Sequence, residues 1–221
     1  MSHPNIIQIL DVGEIDEFIF FTMQLIQGKP LTHLINSAKK QVLPTRRFLP
    51  LRAVIQIFTQ ILAALDYAHQ QDIIHRDIKP DNIMIEKHTQ RPIITDFGLA
   101  KVFRDAQEDQ SIARGSPLYM PPEQIINEPT DERSDIYATG IMLFEMLVPA
   151  LPLPKFKSYE DLLKHKLINK NGFFLKKPSD LNPNLDERID HIVQSAIAYE
   201  PEKRFSNCIE FKNALQKCQK K

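Results

Sequence analysis

Apolar positions along the chain fall into two kinds of run, which divide it into an extended N-terminal part and a helical remainder. Ile6 to Leu10 and Phe18 to Met23 are short, rich in β-branched and aromatic residues, and flank the turn-prone Gly13-Glu14-Ile15-Asp16, which predicts a hairpin. Gly28 breaks the chain, Leu31 to Ser37 begins a short helical stretch, and Ala38 to Pro50 reads as a solvated linker with Lys39-Lys40, Pro44 and Arg46-Arg47. From Leu51 to Gln70 the pattern changes. Val54, Ile57, Phe58, Ile61, Leu62 and Leu65 recur at the spacing of one helical face. Ile83-Met84-Ile85 and Ile93-Ile94-Thr95 predict short strands joined by the polar Glu86 to Arg91, and Leu99 to Glu123 is polar and irregular. Ser134 to Val148 is apolar nearly all round and predicts a central buried helix, with Asp135 placed to cap it. Pro149, Pro152 and Pro154 mark an exposed connection. Ser158 to Ile168 predicts a helix and Asn171-Gly172 a turn. Leu185, Ile189, Ile192, Val193, Ala196 and Ile197 line one face of a further helix. Cys208, Phe211, Leu215 and Cys218 share a last helical face, which makes both cysteines core residues.

Composition narrows the function classes without choosing one. A chain of 221 residues can form one domain or two small ones around a proper core. Lysine plus arginine equals aspartate plus glutamate at 28 each, so net charge points to no nucleic-acid partner. Two cysteines are too few for a disulfide framework and have no metal-ligand spacing around them, which fits a reduced, cytoplasmic setting. Met1-Ser2-His3-Pro4 does not begin a signal peptide. Ile136 to Val148, interrupted by Thr139 and Glu145, is shorter than the roughly 20 residues that cross a bilayer. A soluble chain without a membrane segment is the expectation.

The chemistry concentrates in Ile74-His75-Arg76-Asp77-Ile78-Lys79-Pro80-Asp81-Asn82 and in Asp96-Phe97-Gly98. Carboxylates, an amide and an ammonium so close in sequence are what a site needs to hold a metal-bound polyphosphate and take up a proton beside it. Singly, each has a plainer reading: Asp77 as a solvated loop carboxylate, Asn82 as a turn residue, His75 as a hydrogen-bonded core histidine. The combination carries the argument, because these residues are followed in order by Gly115-Ser116-Pro117-Leu118-Tyr119-Met120-Pro121-Pro122-Glu123.

Together they resemble the signatures of the eukaryotic-type (Hanks-type) serine/threonine protein kinases. The resemblance implies an α+β, protein-kinase-like fold with a complete, mainly helical large lobe over residues 27–221. Residues 1–26 would be a remnant of the small lobe and hinge, reduced to its last two strands. It implies that Asp77 is the base for the substrate hydroxyl, that Asn82 and Asp96 hold magnesium, and that Lys79 neutralises the transferred phosphate. Ser116 would bridge Asp77 and Lys79, a serine/threonine-branch feature. The cofactors would be ATP and Mg2+. Met23 would guard the back of the adenine pocket, Gln24 to Ile26 would form the hinge, and Met84 the floor; from the residues alone both methionines are simply core. The partner would be a protein bearing serine or threonine. Ser111, otherwise an exposed serine, would be the site for an activating kinase or autophosphorylation, paired with Arg76 and partly mimicked by Glu108 and Asp109. Glu123 would form a buried ion pair with Arg204, and Asp135 would support the His-Arg-Asp backbone. Pro121 stands where the family has alanine.

One departure bears on activity. The family's glycine-rich loop, its third-strand lysine and the paired helix glutamate belong upstream of His3, a stretch of roughly 50 residues. The hairpin must then pack Ile7, Ile9, Phe18 and Phe20 on the large lobe or leave them exposed. Losing one electrostatic donor to a transferring phosphate costs about 100- to 1,000-fold, so these residues alone are expected to be nearly inactive. Two other readings are a catalytically inactive lobe acting as a protein-binding module, and a small-molecule phosphotransferase of kinase-like fold. The second is not expected to carry the Gly115 to Glu123 segment.

Overall fold

The computed structural model describes residues 2–15, 18–43, 47–97, 116–170 and 172–219. Its axis is α2 (Leu51–His69), whose periodic face buries Val54, Ile55, Phe58, Ile61, Leu62 and Leu65. Against it pack α8 (Cys208–Lys217) and α4 (Arg133–Leu147). Each buried leucine, isoleucine or phenylalanine contributes about 1.5–3 kcal/mol, so these helices hold most of the interior. Helix α4 is buried nearly all round, as its sequence requires. Gly140 brings it close to α7 (Glu187–Ala196): a Cβ there would lie 2.7 Å from the Ala196 Cβ and 2.8 Å from the Ile197 Cγ2. Cys208 and Cys218 are both buried free thiols, in keeping with their helical spacing.

Side chains that leave their own helix mark where several of these helices begin. Ser158 accepts from the Asp161 amide at the start of α5 (Tyr159–Ile168), and Asn207 accepts from the Glu210 amide at the start of α8. Pro122 opens the single turn α3 (Pro122–Ile125), and Pro178 opens α6 (Pro178–Leu181).

The strands form two small sheets. β1 (Ile9–Ile15) and β2 (Phe18–Met23) pair antiparallel with Ile15 opposite Phe18. β3 (Gly28–Pro30), β4 (Ile83–Glu86) and β5 (Pro92–Ile94) form an antiparallel sheet in that order, with α1 (Leu31–Lys39) leaving β3.

Several boundaries differ from those the sequence predicts. The first strand runs over 9–15, not 6–10, and Gly13 to Ile15 pair with Phe20, Ile19 and Phe18 instead of turning. Its polar Asp11 and Glu14 and its apolar neighbours are alike exposed, so no buried face fixes the register in the sequence. Ile6 makes a separate parallel bridge to Ile94. Gly28 is a strand residue, where a Cβ would collide with the Ile85 carbonyl oxygen. α1 continues to Lys39, into the expected linker.

The hairpin leaves its apolar side chains uncovered: Leu10 and Ile15 are each 62% exposed and Phe18 is 77% exposed. Met23 is exposed as well, which removes its reading as a core methionine. Among the described residues α2, not the Ile136 to Val148 stretch, is long and apolar enough to cross a bilayer. Its apolar face instead lies in the interior.

Candidate functional site

The loop after α2 is hung from the core by one carboxylate. Asp135, fully buried in the first turn of α4, accepts from the His75 amide at 2.9 Å, the Arg76 amide at 2.8 Å and His69 Nε2 at 2.8 Å. Its side chain therefore holds the loop and does not cap its own helix. Burial works to raise the Asp135 pKa, but the His69 hydrogen bond, the charges of His69 and His75 and the His75 amide hold it below the ordinary carboxylate value. Arg76 takes a left-handed backbone with φ 66°, an uncommon conformation for a side-chain-bearing residue. Its Nε is buried without a hydrogen-bond partner among the described residues.

His75 is buried and joins two halves of the site. Its Nε2 pairs with the Thr95 carbonyl at 2.8 Å, its Nδ1 accepts from the Asp77 amide at 3.2 Å, and its ring meets Phe97 edge-on with centroids 4.7 Å apart.

Beyond it, Lys79 Nζ donates to Asp77 Oδ2 at 2.7 Å, and Asn82 Nδ2 donates to the same oxygen at 3.0 Å and to the Asp77 carbonyl at 2.8 Å. A 3-10 turn over Pro80–Asn82 brings the amide back onto Asp77, and Thr32 of α1 fixes that turn through Asp81 at 2.8 Å. Ile83 opposes Ile94 in the sheet, so Asn82 and Thr95 are neighbours. The Thr95 amide and hydroxyl both donate to the Asn82 carbonyl, at 2.8 and 3.1 Å. The next residue, Asp96, is exposed with φ 60°, and one of its oxygens accepts from the Thr95 hydroxyl at 3.4 Å. Asp77, Lys79, Asn82 and Asp96 thus lie on one connected network.

No group of three or more His, Cys, Asp or Glu side chains that could hold a metal occurs among the described residues. The oxygens of Asp96 and Asn82 nonetheless fit magnesium, which usually takes one or two protein carboxylates and completes its shell with phosphates and water.

Ser116, Tyr119, Met120 and Pro121 line a cavity with Arg76, Asp77 and Ile78. Ser116 shares this cavity with Asp77, but among the described residues no hydrogen bond joins it to Asp77 or Lys79, which pair directly. Glu123 forms the expected ion pair with Arg204, with two contacts of 2.7 Å. Glu145, which the sequence shows only as an interruption in an apolar run, receives the Tyr119 hydroxyl and the Lys39 ammonium, the latter at 2.9 Å.

On the proposed adenine side, Met84 is half-buried in β4 opposite Pro30 and Ile93, and Ile26 is half-buried between β2 and β3. Gln24 is exposed and donates its amide to the Gln8 carbonyl at 3.0 Å. Gly98, Glu108, Asp109, Ser111 and Gly115 lie outside the described residues.

A family model for the protein kinase domain matches residues 1–218. The chain is 35% identical over 213 residues to a probable serine/threonine-protein kinase, PknB, of Lactococcus lactis, covering 95% of this chain and 31% of that protein. It is 31% identical over 222 residues to the serine/threonine-protein kinase Pkn1 of Myxococcus xanthus, covering 98% of this chain and 30% of that one. The chain therefore spans about a third of the length of these relatives. Its fold matches the crystal structure of the Mycobacterium tuberculosis PknI kinase domain with a TM-score of 0.72 at 26% identity, covering 98% of this chain and 73% of that domain.

Proposed function

The chain belongs to the protein kinase family, and from that premise we propose that it is the larger part of a catalytic domain that transfers the γ-phosphate of magnesium-ATP to serine or threonine hydroxyls of a protein. The observation that carries this reading is the Asp77 carboxylate, held between the Lys79 ammonium at 2.7 Å and the Asn82 amide at 3.0 Å on the wall of a cavity shared with Ser116.

Asp77 takes the proton of the acceptor hydroxyl as that oxygen bonds to the γ-phosphorus. The bond from phosphorus to the bridging oxygen breaks, and ADP leaves with its electron pair. Lys79 lies beside Asp77 as the cation for the phosphoryl oxygens, and Ser116 positions the acceptor. Magnesium, when bound, neutralises charge on the β- and γ-phosphates. Asp96 and the amide oxygen of Asn82 would hold it, since the amide nitrogen is committed to Asp77. Met23, Gln24, Ile26 and Met84 are the adenine-side residues. The unpartnered Arg76 Nε supports a phosphate on Ser111 as the activating mark, placed by another kinase or by the protein itself. The two buried thiols suit a reducing cytoplasm.

The exposed hairpin favours a second reading, a lobe that binds a protein through its apolar strands. The polar network at Asp77 has no use in that reading. The test is phosphate transfer from labelled ATP by the protein as its native gene encodes it, with phosphoamino-acid analysis and nucleotide-induced thermal shifts. Asp77→Asn is expected to lower transfer by about 100- to 10,000-fold while leaving the melting temperature near wild type. Asp96→Ala is expected to abolish the magnesium-dependent thermal shift. Undiminished transfer by Asp77→Asn, or label on tyrosine alone, would overturn the assignment.

A further inference from the structure

Lys166 lies in the middle of α5 between residues that suggest a solvated helix, yet it is only 1% exposed. Its Nζ donates to the carbonyls of Pro117, Leu118 and Met120 at 3.1, 2.7 and 2.7 Å, and it lies 5.1 Å from the Tyr137 ring centre and 4.8 Å from that of Phe173. An ammonium has three N–H donors, and these three oxygens use them all; a neutral amine would turn its lone pair on one of them. Burial pulls the lysine pKa well below its ordinary value, and the Arg204 charge adds to that pull against Glu123. The three carbonyl dipoles and two ring faces hold the proton in place.

The segment it grips is anchored by the Tyr119 hydroxyl on Glu145 and by Leu118 and Tyr119 packing on the core, but its main chain has few bonds of its own. Pro117, Pro121 and Pro122 have no amide hydrogen, and among the described residues the Tyr119 amide closes a turn on the Ser116 carbonyl at 2.9 Å. Ser116, Tyr119, Met120 and Pro121 nevertheless form a wall of the cavity that contains Asp77. A wall made of irregular backbone keeps its shape only if its polar groups are tied down.

We propose that Lys166 is a positioning residue for the acceptor: by drawing three carbonyls of residues 117–120 onto one ammonium, it shapes the wall that seats an extended serine- or threonine-bearing polypeptide beside Asp77. It touches neither nucleotide nor reacting atoms, and its effect is on acceptor binding. The proposal rests on the kinase reading for what the wall seats, and on geometry alone for what holds the wall.

The test uses the protein as its native gene encodes it, with ATP and a threonine peptide chosen from a degenerate library. Lys166→Met keeps the length and apolar stem but has no donor. It is expected to raise KM for the peptide about tenfold or more, with KM for ATP changed less than about twofold, and to speed amide exchange at Leu118 to Met120 but not in α2. A parallel rise in both KM values, or unaltered exchange at Leu118 to Met120, overturns the proposal. If Lys166→Met does not melt cooperatively, Lys166→Gln, which can still donate, is judged by the same two readouts. Absence of transfer by the wild type overturns the kinase reading alone and leaves exchange at Leu118 to Met120 to decide the role of Lys166.

Discussion

Replacing Arg204 by alanine removes one member of a buried ion pair and leaves the other where it is. The Arg204 side chain is 0% exposed and that of Glu123 5%. The guanidinium makes two bonds of 2.7 Å to the Glu123 carboxylate and gives further N–H groups to the carbonyls of Ala198 at 2.8 Å and of Arg133 and Tyr199 at 3.0 Å. Breaking such a pair costs about 3–5 kcal/mol, and the three stranded carbonyls place this case toward the upper end. Total stability for a domain is about 5–15 kcal/mol, so the variant is expected to be marginal. At about 2–4 °C per kcal/mol, the melting temperature should fall by roughly 6–20 °C. Urea denaturation at unchanged m measures the difference directly. Its pH dependence has a fixed sign. Burial works to raise the Glu123 pKa, but the Arg204 hydrogen bonds and charge, with the Ser134 hydroxyl, hold it below the ordinary value of 4.5. A depressed folded pKa stabilises above the unfolded value and ceases to as pH falls through the folded one, so the gap between wild type and variant should be full at neutral pH and narrow below 4.5. Glu123→Leu combined with Arg204→Met removes both charges and should recover the part of the loss due to the lone buried carboxylate, while the carbonyls of Ala198, Arg133 and Tyr199 stay unpaired. A cost of Arg204→Ala below about 1 kcal/mol, the range of exposed pairs, would refute the reasoning, as would a pH-independent gap.

Two further substitutions test the frame around the site. Gly140→Ala puts a methyl against Ala196 and Ile197 and should cost about 1–3 kcal/mol by overpacking, read by the same urea titration; a variant of wild-type stability would show that α4 and α7 can separate freely. Asp135→Ala leaves the His75 and Arg76 amides without their acceptor, at about 1–3 kcal/mol for each orphaned group, and should speed amide exchange at those two loop residues while exchange in α2 stays as in the wild type. Equal protection in wild type and variant would mean that the loop is held by something else.

The helical part of the fold was legible because burial and periodicity agree there: α2 has one apolar face and α4 is apolar all round, and each occupies the place its pattern demands. The hairpin was legible as a pair of strands but not in its bounds, since a strand exposed on both faces has no alternation to set its register. β3 could not be seen at all. Glycine, lysine and proline make a strand there only because the backbone of β4 lies close enough to exclude a Cβ. In the site, Asp77, Lys79, Asn82 and Asp96 stand in one order along the chain, and the structure joins them through hydrogen bonds. His69, Glu145 and Lys166 gave no signal. Their partners are a remote carboxylate, a tyrosine and a lysine, and three carbonyl oxygens, and nothing in a linear pattern reports that an ammonium will face main-chain oxygens about fifty positions away.

The bridge between Ile6 and Ile94 has a mechanical meaning. Ile94 donates to the Asn5 carbonyl at 2.8 Å and accepts from the Ile7 amide at 2.9 Å, so the thread entering the hairpin is stitched to β5 on both sides of one residue. Thr95 and Asp96 follow at once. A load applied to the apolar strands therefore reaches the Asp96 carboxylate through two short hydrogen bonds with no slack loop between. A partner seated on those strands would hold a lever whose short arm ends at Asp96.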